Sequence, residues 1–214
     1  MLKNLTNVTV AILGAVATSA ATLPAPSMAT SSAVQPFSIV PEGPTQETET
    51  KEVVPEKPKV KRLVCKGCNT NETKTVEFLQ NRGITDKNAI ATIMGNIRQE
   101  STFTPNVCEG GARVSYSACR SGGYGLIQWT NAPRFYGLGN HAARTGGNPS
   151  SLNTQLDYML YESDWKMIEN QMKTPGKSIT DYMRFAKKWI RWGHHGARTE
   201  YAYNYSNKLV LTEV

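Results

Sequence analysis

Residues 85–101 read Thr-Asp-Lys-Asn-Ala-Ile-Ala-Thr-Ile-Met-Gly-Asn-Ile-Arg-Gln-Glu-Ser, and the spacing within them decides the fold. Ile90, Ile93 and Ile97 recur at steps of three and four, the period of a helix with one apolar face. Thr85 stands where an N-cap would be, and its hydroxyl would satisfy a free backbone N–H. One further step of three reaches Glu100, so a carboxyl continues the apolar stripe. Loss of hydration there raises a carboxyl pKa, and the negative end of the helix dipole acts in the same direction. A carboxylic acid that keeps its proton near neutral pH is what general acid catalysis requires. The competing reading is an ordinary Glu at a frayed helix end, paired with Arg98.

Helical spacing recurs outward from this segment. Thr73 to Arg82 carries Val76 and Leu79 and is followed by Gly83 at a C-terminal cap position. Further helices are expected at Pro133 to Ala143, Leu152 to Tyr161, Trp165 to Met172, Thr180 to Trp192 (closed by Gly193) and Thr199 to Leu211. The Gly- and Ser-rich region from Asn106 to Gly125 breaks the pattern, with a short hairpin strand expected at Arg113 to Ser117. The fold class is mainly α, a helical domain with a small irregular or β lobe.

The segment Gly122-Gly123-Tyr124-Gly125-Leu126-Ile127-Gln128-Trp129-Thr130 has the composition of a ligand loop. Its glycines allow close backbone approach, Tyr124 and Trp129 carry faces on which sugars stack, and Gln128 both donates and accepts. A buried loop with Trp129 filling space would read the same way. Cys65, Cys68, Cys108 and Cys119 pair as disulfides if the protein is exported, Cys108 with Cys119 stapling the irregular lobe and Cys65 with Cys68 closing a tight loop. The rival is a four-Cys zinc site, which lacks a second C-x-x-C. His194-His195-Gly196 reads as a loop after Trp192 rather than a metal site, and no local signature supports Cys119 with His141 as a thiol peptidase. Asp157, Glu162 and Asp164 read as solvated charges on a helix face. No metal or cofactor is expected.

The chain carries a net charge of +7, and 18 Lys+Arg against 12 Asp+Glu after Arg62 place about +6 of it in the folded part. That balance suits a polyanionic partner such as a bacterial wall, while the scattered Lys and Arg match no nucleic-acid reader. No stretch reaches the roughly 20 apolar residues of a membrane span. Residues 1–29 read as an export signal, with Lys3, an apolar run from Val8 to Ala21, and a small-x-small site at Ser27-Met28-Ala29. An uncleaved N-terminal anchor is the alternative. Residues 30–62, interrupted by Pro36, Pro41, Pro44, Pro55 and Pro58, read as a disordered linker. Residues 63–214 are left as one domain, expected to act as a monomer that is secreted or periplasmic, or carried on a virion.

Three segments in order resemble the phage tail lysozyme family: Met94-Gly95-Asn96-Ile97-Arg98-Gln99-Glu100-Ser101 with Pro105-Asn106, then Tyr124 to Thr130, then Leu152-Asn153-Thr154-Gln155-Leu156-Asp157-Tyr158-Met159. Three motifs in order are far more specific than any one. The first two also resemble lytic transglycosylases and goose-type lysozymes. The resemblance implies a lysozyme fold cleaving the β-1,4 bond between N-acetylmuramic acid and N-acetylglucosamine in bacterial peptidoglycan. It makes Glu100 the catalytic acid and places Ser101, Tyr124 and Gln128 along the substrate cleft, where the composition of the loop adds Gly125 and Trp129.

One position departs from the chicken-type lysozymes, where an Asp precedes the matching Tyr-Gly stretch; here it is Gly123. A retaining mechanism needs two carboxylates about 5 Å apart. Without that Asp, a second acid such as Glu109 would have to activate water, or the muramic N-acetyl group would assist. Attack by the sugar's own 6-hydroxyl would give the anhydro product of a transglycosylase, and Ala202-Tyr203-Asn204 resembles a transglycosylase motif whose continuation is missing. The other function classes are a wall-binding module that has lost its chemistry and a structural virion component.

Overall fold

The computed structural model describes residues 60–120 and 122–213; the expected export signal and the linker up to Lys59 lie outside them. Helix α2 (Lys87–Ser101) is the central element, and every residue from Ala89 to Ile97 is buried. Its polar members bond along the helix, Thr92 Oγ1 donating to the Asn88 carbonyl at 2.8 Å and Asn96 Nδ2 to the Thr92 carbonyl at 2.9 Å. The N-cap is Asp86 rather than the expected Thr85. Its carboxylate accepts from the N–H groups of Asn88 and Ala89, and a carboxylate at a helix N-terminus also complements the dipole.

Around α2 lie α1 (Thr70–Asn81), α3 (Ala132–Thr145), α4 (Leu152–Tyr161), α5 (Ser163–Lys166), α6 (Glu169–Lys173), α7 (Ile179–Ile190) and α8 (Arg198–Lys208). Helix α1 starts with a reciprocal capping box between Asn69 and Glu72, and Gly83 follows it at φ +83°. The expected helix from Trp165 to Met172 is two short ones that meet at Ile168, whose N–H bonds the Trp165 carbonyl three residues back. Helix α7 ends at Arg191, which takes the left-handed conformation at φ 59°, so Gly193 does not close it.

Two further expectations are corrected at the ends of the domain and in its irregular lobe. The last helix stops at Lys208, and Leu209–Glu213 forms strand β2, antiparallel to β1 (Lys61–Cys65). Folded structure therefore starts two residues inside the segment read as linker. The Arg113 to Ser117 strand reduces to one isolated bridge, Val107 with Arg113, followed by a 3-10 turn at Tyr116–Ala118. That turn lets the Tyr116 ring stack on Phe135 at 4.5 Å. The cysteines form two disulfides, Cys65–Cys68 and Cys108–Cys119. No helix of the described residues is long and apolar enough to cross a membrane.

Helix α2 packs most extensively on α8, and Gly95 is the reason the two come so close. A Cβ on Gly95 would stand 2.6 Å from the Ala202 backbone nitrogen and 2.7 Å from the Arg198 carbonyl oxygen. Both are helix backbone and neither can swing aside. Gly95→Ala is therefore expected to destabilise the domain by ~1–3 kcal/mol through overpacking, read as a lowered melting temperature in thermal denaturation.

Candidate active site

Glu100 sits in the last turn of α2 with its side chain 14% exposed. Its carboxylate pairs with the guanidinium of Arg198, the first residue of α8, whose side chain is 6% exposed. Burial pushes the Glu100 carboxyl above the ordinary carboxylate range; Arg198, and more weakly Arg134, pull the other way without cancelling it. Arg198 has further tasks. Its Nη1 donates to the carbonyls of His194 and His195 at 2.9 and 2.8 Å, and its guanidinium lies 5.0 Å from the Trp192 ring centre. One cation thus holds the acid and the loop facing it.

A polar cleft of about 380 Å³ opens at Glu100, lined by Ile127, Gln128 and Thr130 and by Arg191, Trp192, Gly193 and His194. Of the residues named for the site from sequence, Glu100 and Gln128 line this cleft. Gln128 takes a left-handed backbone at φ 51°, and its Nε2 donates to the Gly125 carbonyl at 2.9 Å.

Tyr124 and Trp129 are corrected as stacking platforms, because both rings are fully buried. The Tyr124 hydroxyl bonds Ser150 at 2.8 Å, and the Trp129 indole N–H points to Glu162 at 3.3 Å. The aromatic side chain that does line the cleft is the half-buried Trp192, which the helical spacing places only as the end of the Thr180 to Trp192 helix.

Ser101 and Gly125 are structural neighbours of the cleft rather than part of its wall. Ser101 Oγ donates to the Leu126 carbonyl at 2.9 Å, while the Leu126 N–H donates to Gln155 Oε1 at 2.8 Å. Gln155 Nε2 in turn donates to the carbonyls of Pro105 and Pro149 at 2.6 and 2.7 Å. One buried residue, Leu126, therefore ties together all three motifs noted in the sequence through its N–H and its carbonyl. Gly125, at φ +75°, has no room for a side chain, since a Cβ would lie 2.4 Å from Gln155 Oε1. Ser101 also borders a second polar groove, shared with Thr102, Thr104 and Arg113.

Among the residues lining the cleft, Glu100 is the single carboxylic acid. Glu109 lies outside that lining and is occupied with the loop backbone, Oε2 accepting from the Gly123 N–H at 2.9 Å. Gly123 does not have the left-handed backbone that would demand glycine; space excludes a side chain there. A Cβ would stand 2.8 Å from Gln128 Cβ and 2.9 Å from Gln128 Oε1. Cys119 is bonded to Cys108 and has no thiol to offer His141. No group of three His, Cys, Asp or Glu among the described residues converges to hold a metal.

Glu162 and Asp164 are not solvated charges. Glu162 is 5% exposed and accepts from Arg134 Nε and Nη2 at 2.8 and 2.7 Å and from the indole N–H groups of Trp129 and Trp189. Asp164 pairs with Arg191 at 2.6 Å, and so links this buried network to the cleft wall. Asp157 alone matches the expectation in part, with its side chain 35% exposed and paired to Arg82 and His141.

The helical domain that carries the half-buried Glu100 and its polar cleft is lysozyme-like. The chain belongs to the phage tail lysozyme family, whose model matches residues 70–209. It is similar to morphogenesis protein 1 of Bacillus phage B103, 33% identical over 102 residues that make up 48% of this chain and 26% of the relative. The chain thus matches about a quarter of that relative's length.

The contrast between the acidic residues can be measured. Glu162→Gln is expected to destabilise the fold by up to ~3–5 kcal/mol, the usual penalty for breaking a buried ion pair, with Arg134 keeping only the longer pair with Asp164 at 3.7 Å. Asp157→Asn, at a part-exposed pair, should cost at most about 1 kcal/mol. Urea denaturation of the two variants checks both values.

Proposed function

We propose that this protein is a muramidase that cleaves the β-1,4 bond between N-acetylmuramic acid and N-acetylglucosamine in peptidoglycan, with Glu100 as general acid. The observation that carries the reading is the half-buried Glu100 carboxyl at the cleft, raised in pKa by burial against the pull of Arg198. In its protonated form it gives its proton to the glycosidic oxygen as the C–O bond to the muramic C1 breaks. The resulting Glu100 carboxylate then takes a proton from the nucleophile that attacks C1. With water as nucleophile, helped by the muramic acetamido oxygen, the product is a hydrolysed reducing end.

The single carboxylic acid of the cleft lining favours a second reading as well. If the muramic 6-hydroxyl attacks in place of water, one carboxyl acting first as acid and then as base completes the reaction and leaves a 1,6-anhydro end. Both routes dispense with a protein nucleophile. The protein reaches its substrate as an exported, secreted or periplasmic enzyme, or on a virion.

Glu100→Gln keeps the shape of the side chain and removes its proton, so lysis of purified peptidoglycan should fall by ~10² to 10⁴ in a protein that still melts cooperatively, any drop in melting temperature reflecting Arg198 without its carboxylate. Wild-type turnover in that variant would end the assignment. Mass spectrometry of the wild-type products separates hydrolysis from the anhydro route, which differ by one water. Gly123→Asp, placed where Gln128 leaves no space, should give no gain in activity, and a fluoro-sugar trap should leave the protein mass unchanged. A glycosyl adduct on any Asp or Glu would overturn this mechanism.

A further inference from the structure

The loop from Arg191 to Ala197 lines the cleft with its first four residues, Arg191 to His194, and it is tightly held. Arg198 binds two of its carbonyls, and Gln99 Oε1 accepts from the Ala197 N–H at 2.9 Å. The His195 ring meets the Trp192 edge at 5.6 Å, with its Nε2 3.1 Å or less from a protein partner, the Thr199 hydroxyl at 2.9 Å.

His194 differs from its neighbour. It is exposed and lines the cleft, and its Nδ1 lies 3.1 Å from the Gly196 backbone nitrogen. A backbone N–H can only donate, so Nδ1 must supply the lone pair. The proton of the neutral imidazole is therefore on Nε2. That N–H has no acceptor among the described residues. A ring with this tautomer cannot serve as a base through Nε2, but it presents a donor in the same cleft that Trp192 lines.

We propose that His194 and Trp192 together form a sugar-recognition wall, in which the part of the indole that lines the cleft, its other surface being taken by Arg198 and the core, packs on the apolar face of a pyranose and the His194 Nε2–H donates to an uncharged oxygen of the same sugar, an acetamido carbonyl or a hydroxyl. This inference rests on the cell-wall glycan reading of the cleft. An aromatic surface and a donor lining one cleft match the two surfaces that an amino sugar offers. His194 is a recognition residue here and takes no part in proton transfer to the glycosidic bond.

Two substitutions separate its two nitrogens. In His194→Asn, Oδ1 stands in for Nδ1 and keeps the Gly196 bond, while the outward donor is lost. In His194→Gln, Nε2 stands in for the ring Nε2 and keeps the donor, while the loop bond is lost. Binding to purified peptidoglycan is measured in the Glu100→Gln background, where turnover does not interfere. The inference expects His194→Asn to weaken binding about tenfold, the worth of one hydrogen bond of about 1.4 kcal/mol, and His194→Gln to bind within about threefold of the parent. In the otherwise wild-type enzyme, His194→Asn should raise KM with little change in kcat.

Parental binding by His194→Asn, or equal loss in both variants, would overturn the inference and leave the role of Glu100 standing. Failure of the Glu100→Gln parent itself to bind peptidoglycan would overturn the glycan reading of the cleft, and this inference with it.

Discussion

The approach of α2 to α8 at Gly95 is the constraint on which the site depends. Without a side chain at that point the helix backbones close to distances that a Cβ could not tolerate. The same contact places Arg198, at the start of α8, against Glu100, 98 residues earlier in the chain. Two opposed effects then act on one carboxyl. Burial disfavours its charge, and the neighbouring guanidinium favours it; burial wins. Desolvation of an unpaired ion costs several kcal/mol, so an isolated acid in this position would be held neutral outright. With Arg198 beside it, the acid can give up its proton during a reaction and still have its charge stabilised.

The remaining motifs serve to hold this acid against the cleft. Ser101, directly after Glu100, and Gln155, on α4, grip the two sides of Leu126. The carbonyl of Leu126 and its N–H are both buried, and a buried unpaired group of this kind costs about 1–3 kcal/mol. The polar residues of the three motifs are thus explained largely by satisfaction of backbone rather than by contact with a ligand. On the other side, Glu162 fixes Trp129, Trp189 and Arg134 at once, and Asp164 extends the network to Arg191 at the cleft.

Much of this was legible from local spacing, because helices are built from contacts three and four residues apart. The steps through Ile90, Ile93 and Ile97 placed α2 and picked out Glu100, and Leu152 to Tyr161 was read with its observed bounds. What sequence could not supply was partnership at long range. Strands β1 and β2 pair residues from opposite ends of the domain, and Arg198 finds Glu100 only through the helix crossing. Tyr124, Trp129 and Trp192 show a second limit. Each ring has an apolar face suited to a sugar or to a core, and only the fold decides that the first two turn inward while the third borders the cleft. Glu162 was misread as solvated for the same reason, since its four donors come from three separate segments.

The central claim is that burial outweighs the pull of Arg198 and raises the Glu100 carboxyl above the ordinary carboxylate range. The most direct test is a carbon-13 NMR titration of the Glu100 carboxyl in the folded protein, with the signal assigned by its disappearance in Glu100→Gln. The account predicts a midpoint above the ordinary Glu value of about 4.3. A midpoint below that value would mean that the ion pair dominates and that Glu100 rests as a carboxylate, which would contradict its role as the proton donor.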